Sequence, residues 1–126
     1  MKHTALTAFV VWLEDRSEAV RTLETQANSA LHEDGDQIRY KQLMQEKASL
    51  LARLADDAAP SVALLPEHLR GTVSETLGRF SRSAAVAKQI GSVFYMSALL
   101  YPEDHAPGGK NDLDAFVDAL RSASEE

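Results

Sequence analysis

The stretch PEHLRGTVSETLGRFSRSAAVAKQIGSVFYMSALLY, from Pro66 to Tyr101, decides the fold that the sequence predicts. It has no proline after its first residue, and its apolar residues recur every three or four positions, as on one face of a helix. Proline is harmless at the first helical position, because the N–H that it lacks has no partner there. We therefore expect one long helix over residues 66–101, against which the rest of the chain packs.

This stretch is apolar on one side in its first half and on two sides in its second half. The residues of the second stripe are Val86, Ile90, Val93, Ser97 and Leu100. At 1.5 Å per residue the helix would be about 50 Å long, so it must kink or extend past its neighbours. Gly78 and Gly91 are the expected weak points, because glycine costs about 1 kcal/mol relative to alanine inside a helix.

Three other segments show helical periodicity. In chain order, the predicted helices cover residues 4–32, 37–58, 66–101 and 112–122. Thr4 and Asn111 are suitable N-caps, and Pro60 disfavours helix at the residue before it. The short connection at Gly35 makes the first two helices antiparallel neighbours. The predicted fold class is all-α, an up-down antiparallel bundle of three long helices plus a short C-terminal fourth helix, in a single domain of residues 1–126.

The packing of these helices can also be predicted. The second stripe of the long helix is the expected docking face for the short C-terminal helix. The segment 61–65 is expected to cover Val11 and Trp12, and Lys47 can lay its aliphatic stem along an apolar seam. The polar face of the first helix is expected to be a solvated stripe of Glu14, Asp15, Glu18, Arg21 and Glu24.

Composition and charge exclude several functions. The 126 residues include no cysteine, which excludes disulfides, thiolate metal sites and a cysteine nucleophile. The net charge of −6 opposes binding to nucleic acid or to anionic membranes. No secretory signal is visible, and no uncharged run reaches the about 20 residues of a spanning helix. We expect a cytoplasmic protein.

No motif for catalysis is present. The serines lack the G-x-S-x-G context of a nucleophile elbow, and no glycine-rich phosphate loop follows a predicted strand. Neither H-E-x-x-H nor the Glu-x-x-His of a di-iron bundle occurs. We therefore expect no enzyme, no catalytic residue and no cofactor.

One metal hypothesis remains, because two loops are expected at the same end of the bundle. The candidate ligands are His32, Asp36, Glu103 and His105, with Glu33, Asp34 and Asp104 nearby. Imidazoles and carboxylates together can bind a zinc-like ion. The alternatives are a metal- or small-ligand-binding bundle that uses this end, or two ordinary solvated acidic loops.

The end of the long stretch has more apolar surface than one short helix covers. The expected interface residues are Phe94, Tyr95, Met96, Leu99, Leu100 and Tyr101, with Phe9 and Trp12 as a second patch. Exposed apolar patches of this kind usually mark contact sites. We expect a non-enzymatic protein, adaptor-like or chaperone-like, that binds another protein or a second copy of itself to form a homodimer.

The run YKQLMQEKASLLARLADD, from Tyr40 to Asp57, resembles the second-helix pattern of flagellar export chaperones that bind hook-filament junction proteins. Those chaperones are small, acidic, cysteine-poor helical proteins that hold an amphipathic helix of their client. The resemblance implies an export chaperone as a further alternative function, and it assigns no functional residue in this chain.

Overall fold

The computed structural model describes residues 4–102, 105 and 109–125. These residues form five helices and no strand. The helices are α1 Thr4–His32, α2 Gln37–Val62, α3 Glu67–Ile90, α4 Val93–Ala98 and α5 Asp112–Ser124. The predicted all-α fold class, with three long helices and a short C-terminal one, is confirmed.

Helix α2 is the centre of the fold, because α1, α3 and α4 all pack against it. Within the described ranges, no Cα atom of α1 lies within 8 Å of one in α3. Alanines such as Ala48 and Ala58, both fully buried, let neighbouring helices approach α2 closely. On the α3 side, the Ser81 hydroxyl donates to the Leu51 carbonyl at 2.8 Å and accepts from the Ala55 N–H at 3.0 Å. A side chain of α3 therefore bonds directly to the backbone of α2.

The helix predicted over residues 66–101 is divided into two helices at Gly91, one of its two expected weak points. Helix α3 ends at Ile90, and Gly91 follows in the left-handed region with a φ of 73°. The Gly91 N–H closes the helix by donating to the carbonyls of Ala87 and Lys88. Ser92 then caps α4, where its hydroxyl accepts from the Tyr95 N–H at 3.2 Å. Glycine reaches positive φ without steric cost and serine is a good N-cap, so this pair ends one helix and starts another.

Two other helices run past their predicted ends. Helix α2 continues to Val62 instead of stopping at 58, with Pro60 inside its last turns. Pro60 removes one backbone donor, but Ala58 and Val62 are buried on the core side of this turn, and their burial favours continuing the helix. Helix α5 reaches Ser124 instead of 122.

Helix α5 packs against α1, so the prediction that it docks on the second stripe of the long helix is wrong. Leu113, Val117 and Leu120 form its buried face. Polar bonds add to this contact, because buried Ser17 donates to the Asp114 carboxylate, which also pairs with Arg21. Val86 and Ile90 of the second stripe stay exposed as a result, whereas its last residue, Leu100, is buried.

The two remaining packing predictions are also corrected. Val11 is 62% exposed and Leu64 is 73% exposed, so the segment 61–65 does not cover Val11. Trp12 is half-buried and stacks on Phe9 with ring centroids 6.0 Å apart. The polar face of α1 is only partly solvated, since Arg121 of α5 reaches Glu14 at 2.7 Å.

None of the described helices is both long and apolar enough to cross a membrane.

Candidate functional site

The α3–α4 groove is an open apolar groove between the C-terminal half of α3 and the chain that runs from α4 to the start of α5. Its volume is about 620 Å³. The lining residues are Arg82, Ser83, Val86, Ala87, Ile90, Tyr95, Ala98, Leu99, Leu100, Tyr101, Pro102 and Asp112. It occupies the place that α5 would have taken if α5 had docked on α3.

The walls of the groove carry large side chains that are more than half exposed. Val86 is 53% exposed, Ile90 is 58% exposed and Tyr95 is 53% exposed. Phe94, on the neighbouring position of α4, is 74% exposed and meets the Tyr95 ring edge to face at 5.8 Å. Large apolar residues grouped in this way form a patch, unlike a single exposed valine elsewhere on the surface.

The floor of the groove is fixed by two buried leucines after α4. Leu99 is 9% exposed and Leu100 is 8% exposed. Leu100 has a φ of 75°, a left-handed conformation that is uncommon outside glycine. This conformation turns the chain, and the Leu100 carbonyl accepts the Asp112 N–H at 3.0 Å, which fixes the start of α5 beside the floor.

The predicted interface residues fall into two groups in the structure. Phe94 and Tyr95 are exposed beside the groove. Met96 lies in the core at 2% exposed, as does Phe9 at 1%. The sequence missed the contribution of Val86 and Ile90, because the second stripe was expected to be covered. The sequence feature that could have identified Val86 and Ile90 is the second apolar stripe, on which they lie at helical spacing.

A polar cluster lies on the other side of α4 and consists of the buried Lys47 and the half-buried Glu24, Ser97 and Tyr101. Lys47 is 0% exposed, and its ammonium group pairs with Glu24 at 2.9 Å. The same ammonium donates to the Ser97 carbonyl at 3.1 Å and lies 5.2 Å from the centre of the Tyr101 ring. The Tyr101 hydroxyl donates to the other oxygen of Glu24 at 3.0 Å. The cluster therefore joins α1, α2 and α4.

Sequence reasoning misplaced both charged members of this cluster. Glu24 was assigned to a solvated stripe, and Lys47 was expected to contribute only its stem. A lysine at a buried position of an apolar stripe signals that a carboxylate must lie opposite it, since a buried charge needs a partner.

Burial shifts the pKa values of two groups in the cluster, the Lys47 ammonium and the Tyr101 hydroxyl. Loss of water lowers the pKa of Lys47 from 10.5, and the attraction of Glu24 opposes this shift without cancelling it. Burial also raises the pKa of the Tyr101 hydroxyl above 10.0. An adjoining cleft of about 440 Å³ borders the cluster. Because the charged groups bond to one another, we interpret the cluster as a structural tie that holds α4 in place.

The predicted metal ligands are not brought together among the described residues, where no group of three or more His, Asp or Glu side chains could hold an ion. His32 and Asp36 are exposed, and Asp36 caps α2 by accepting the Arg39 N–H at 2.9 Å. The His105 ring bonds to the carbonyls of Gly109 and Lys110 at 2.9 and 3.0 Å. Glu103 and Asp104 lie outside the described residues.

Comparisons with known proteins complete the description of the site. No protein-family model, no curated protein and no solved structure matches this chain. The resemblance to flagellar export chaperones therefore rests on residues 40–57 alone.

Proposed function

We propose that this chain is a non-enzymatic protein whose function is to bind another protein through the α3–α4 groove. The observation that supports the proposal is the exposure of Val86, Ile90 and Tyr95 around a floor of buried leucines. The chain folds with this apolar groove open to solvent, although covering it would favour stability by about 25 cal/mol for each Å² of apolar surface buried.

The shape of the groove favours a partner helix that inserts side chains. Strand addition needs an exposed sheet edge, and the described ranges contain no strand. Val86 and Ile90 lie one turn apart on α3, so they present a ridge along the helix into which the side chains of a second helix can pack. Tyr95 on the opposite wall supplies an aromatic side chain of the kind that is enriched in protein interfaces.

Affinity capture with matched variants tests the proposal. Tagged wild-type chain, a Val86→Asp/Ile90→Asp variant and an Ile38→Asp control are incubated with extract of the source cells. Ile38 is 75% exposed and lies outside the groove, so its change introduces the same kind of charge without touching the site. We expect a protein that is retained by the wild type and the control and lost by the groove variant. Equal capture by all three chains would contradict the proposal.

Light scattering of the same three chains decides whether the partner is a second copy. A dimer that the Val86→Asp/Ile90→Asp variant cannot form would place self-association in the groove. A wild-type chain that stays monomeric while it captures another protein would assign the groove to a different partner. Circular dichroism checks that the variant keeps its helices, which we expect because both substituted side chains are more than half exposed.

A further inference from the structure

The charge around the α3–α4 groove is opposite in sign to that of the whole chain. Residues 79–102 contain Arg79, Arg82 and Lys88 and no aspartate or glutamate, although the net charge of the chain is −6. Arg82 lines the groove itself. Arg79 lines an adjoining pocket that shares Arg82, Leu99 and Leu100 with the groove, so two of these cations lie beside its apolar side chains.

These three cations have no ion-pair partner anywhere in residues 4–102, 105 and 109–125, and all three are exposed. Some other cations are paired, such as Arg21 with Asp114, Lys47 with Glu24 and Arg121 with Glu14. Among the described residues, Arg39, Lys41, Arg53 and Arg70 share the lack of an ion-pair partner, but they do not lie beside the groove. Among the described residues that line the groove, the acidic side chain is Asp112, at the α5 end of the groove. The positive charge beside the apolar wall is thus available to a partner.

We infer that the partner segment is an amphipathic helix with carboxylates beside its apolar face, an inference that rests on the proposed function of the groove. Carboxylates on the flank of such a helix would meet Arg79 and Arg82 while its apolar face covers Val86 and Ile90. Complementary charges of this kind set orientation and partner choice, and they increase the association rate.

The same charges disfavour a symmetric dimer through this face. In a two-fold contact the same patch lies on both subunits, so the cations of α3 would meet their own copies. Like charges placed opposite each other oppose association. An acidic partner removes this repulsion.

Two other anionic partners, nucleic acid and a lipid surface, fit the observations less well. The overall charge of −6 repels both, and a concave groove with two apolar walls fits a helix better than a flat membrane. Vesicles that contain an anionic lipid therefore serve as a comparison in the test.

The test measures binding of two fluorescent peptides by anisotropy. Both are helix-forming peptides of about 18 residues with the same leucine face, one flanked by glutamates and the other by lysines. We expect the glutamate peptide to bind about tenfold more tightly at low salt, because a few exposed ion pairs contribute about 0.2–1 kcal/mol each. The difference should shrink as added salt screens the charges.

Charge reversal at the groove gives the decisive comparison. An Arg79→Glu/Arg82→Glu variant should prefer the lysine peptide, whereas an Arg39→Glu/Arg53→Glu control on α2, with the same change of net charge, should keep the preference for glutamate. Failure of both peptides to bind, or a preference that Arg79→Glu/Arg82→Glu leaves unchanged, overturns the inference. The inference is also overturned if the wild type and the α2 control bind anionic vesicles and the Arg79→Glu/Arg82→Glu variant does not. In each case the capture experiment with Val86→Asp/Ile90→Asp still decides the proposed function independently.

Discussion

A lysine without contact to water is stable in a protein only when its surroundings replace that water. Lys47 has three such substitutes: the Glu24 carboxylate, the Ser97 carbonyl and the face of the Tyr101 ring. Removing two charges from water costs several kcal/mol. The attraction between the charges offsets this cost only when their geometry is good. The ion pair therefore fixes how α1, α2 and α4 meet, and its net stabilisation can be small.

Breaking this ion pair should cost much more than the pair contributes. We expect Lys47→Met to lower the free energy of unfolding by about 3 kcal/mol, because the Glu24 carboxylate, whose side chain is only 17% exposed, is left without its cation. Adding Glu24→Gln should recover at least half of that loss, since the remaining amide can still accept from the Tyr101 hydroxyl. Urea unfolding of the two single variants and the double variant measures the coupling. Lys41→Met, on the exposed side of the same helix, is the control, and additive effects would show that the two charges do not interact.

The lowered pKa of Lys47 also predicts how stability depends on pH. Its pKa is below 10.5 in the folded chain, so the unfolded chain binds more protons between that lowered value and 10.5. The free energy of unfolding should therefore rise with pH across this window. Tyr101 acts in the opposite direction above 10.0, because its pKa is raised. As the pH rises toward 10.0, the wild type should gain stability relative to Lys47→Met. If the free energies of unfolding of the wild type and of Lys47→Met changed in parallel with pH, the lowered pKa of Lys47 would be contradicted.

At the scale of the helices, Gly91 separates α3 from α4 by its backbone conformation. Neither Gly91 nor Gly71 has a heavy atom within 4 Å of the position that a Cβ would take. Gly91 has a φ of 73°, whereas Gly71 lies inside α3. Substitution by alanine should therefore act through the backbone alone at both positions.

Alanine at these two glycines should have effects of opposite sign. We expect Gly91→Ala to lower the free energy of unfolding by about 1–2 kcal/mol, the cost of a left-handed conformation for a residue with a Cβ. Gly71→Ala should raise it by about 0.8–1.0 kcal/mol, because alanine is the better helix former. Thermal and urea unfolding check both values. If Gly91→Ala were as stable as the wild type, α3 would be able to continue through residue 91.

The helices also differ in how many neighbours support them. Helix α2 packs against α1, α3 and α4, whereas α5 packs against α1 alone in the described part of the chain. Its docking depends on Leu113, Val117 and Leu120 together with the bonds to Asp114 and Arg121. An element with one neighbour can detach without opening the rest of the core.

For the whole molecule, this arrangement predicts a gradient of local stability. We expect the amides of α5 to exchange with solvent at least about tenfold faster than those of α2 around Leu51 and Leu54, because α5 can open separately. Hydrogen exchange followed by mass spectrometry, with peptides from both helices, measures the difference. Equal protection of α2 and α5 would mean that both open only when the entire chain unfolds.

Much of the helical content could be predicted from single residues. The range 4–32 of α1 and the start of α5 after Asn111 agree with the sequence prediction. Gly91 was recognised as a weak point, but the pattern could not show that the helix ends there. Apolar spacing continues on both sides of a break, whereas the choice of a left-handed glycine depends on where the next segment must go.

The candidate groove was predicted only in part. Sequence reasoning placed an apolar surface around Phe94 and Tyr95, and both are exposed in the structure. It also expected Val86 and Ile90 to be covered by α5. An amphipathic stripe indicates that a face favours burial, but it does not say which element buries it.

The sequence by itself determined that the described chain is helical, where caps and glycines can start or stop its helices, and which faces are apolar, because these properties depend on residues a few positions apart. The tertiary structure alone decided that α5 covers α1, that Lys47 meets Glu24 and that the α3–α4 groove stays open. Those outcomes depend on contacts between residues far apart in the chain. Several arrangements can satisfy the same stripes, and their packing and charge pairing in three dimensions select one of them.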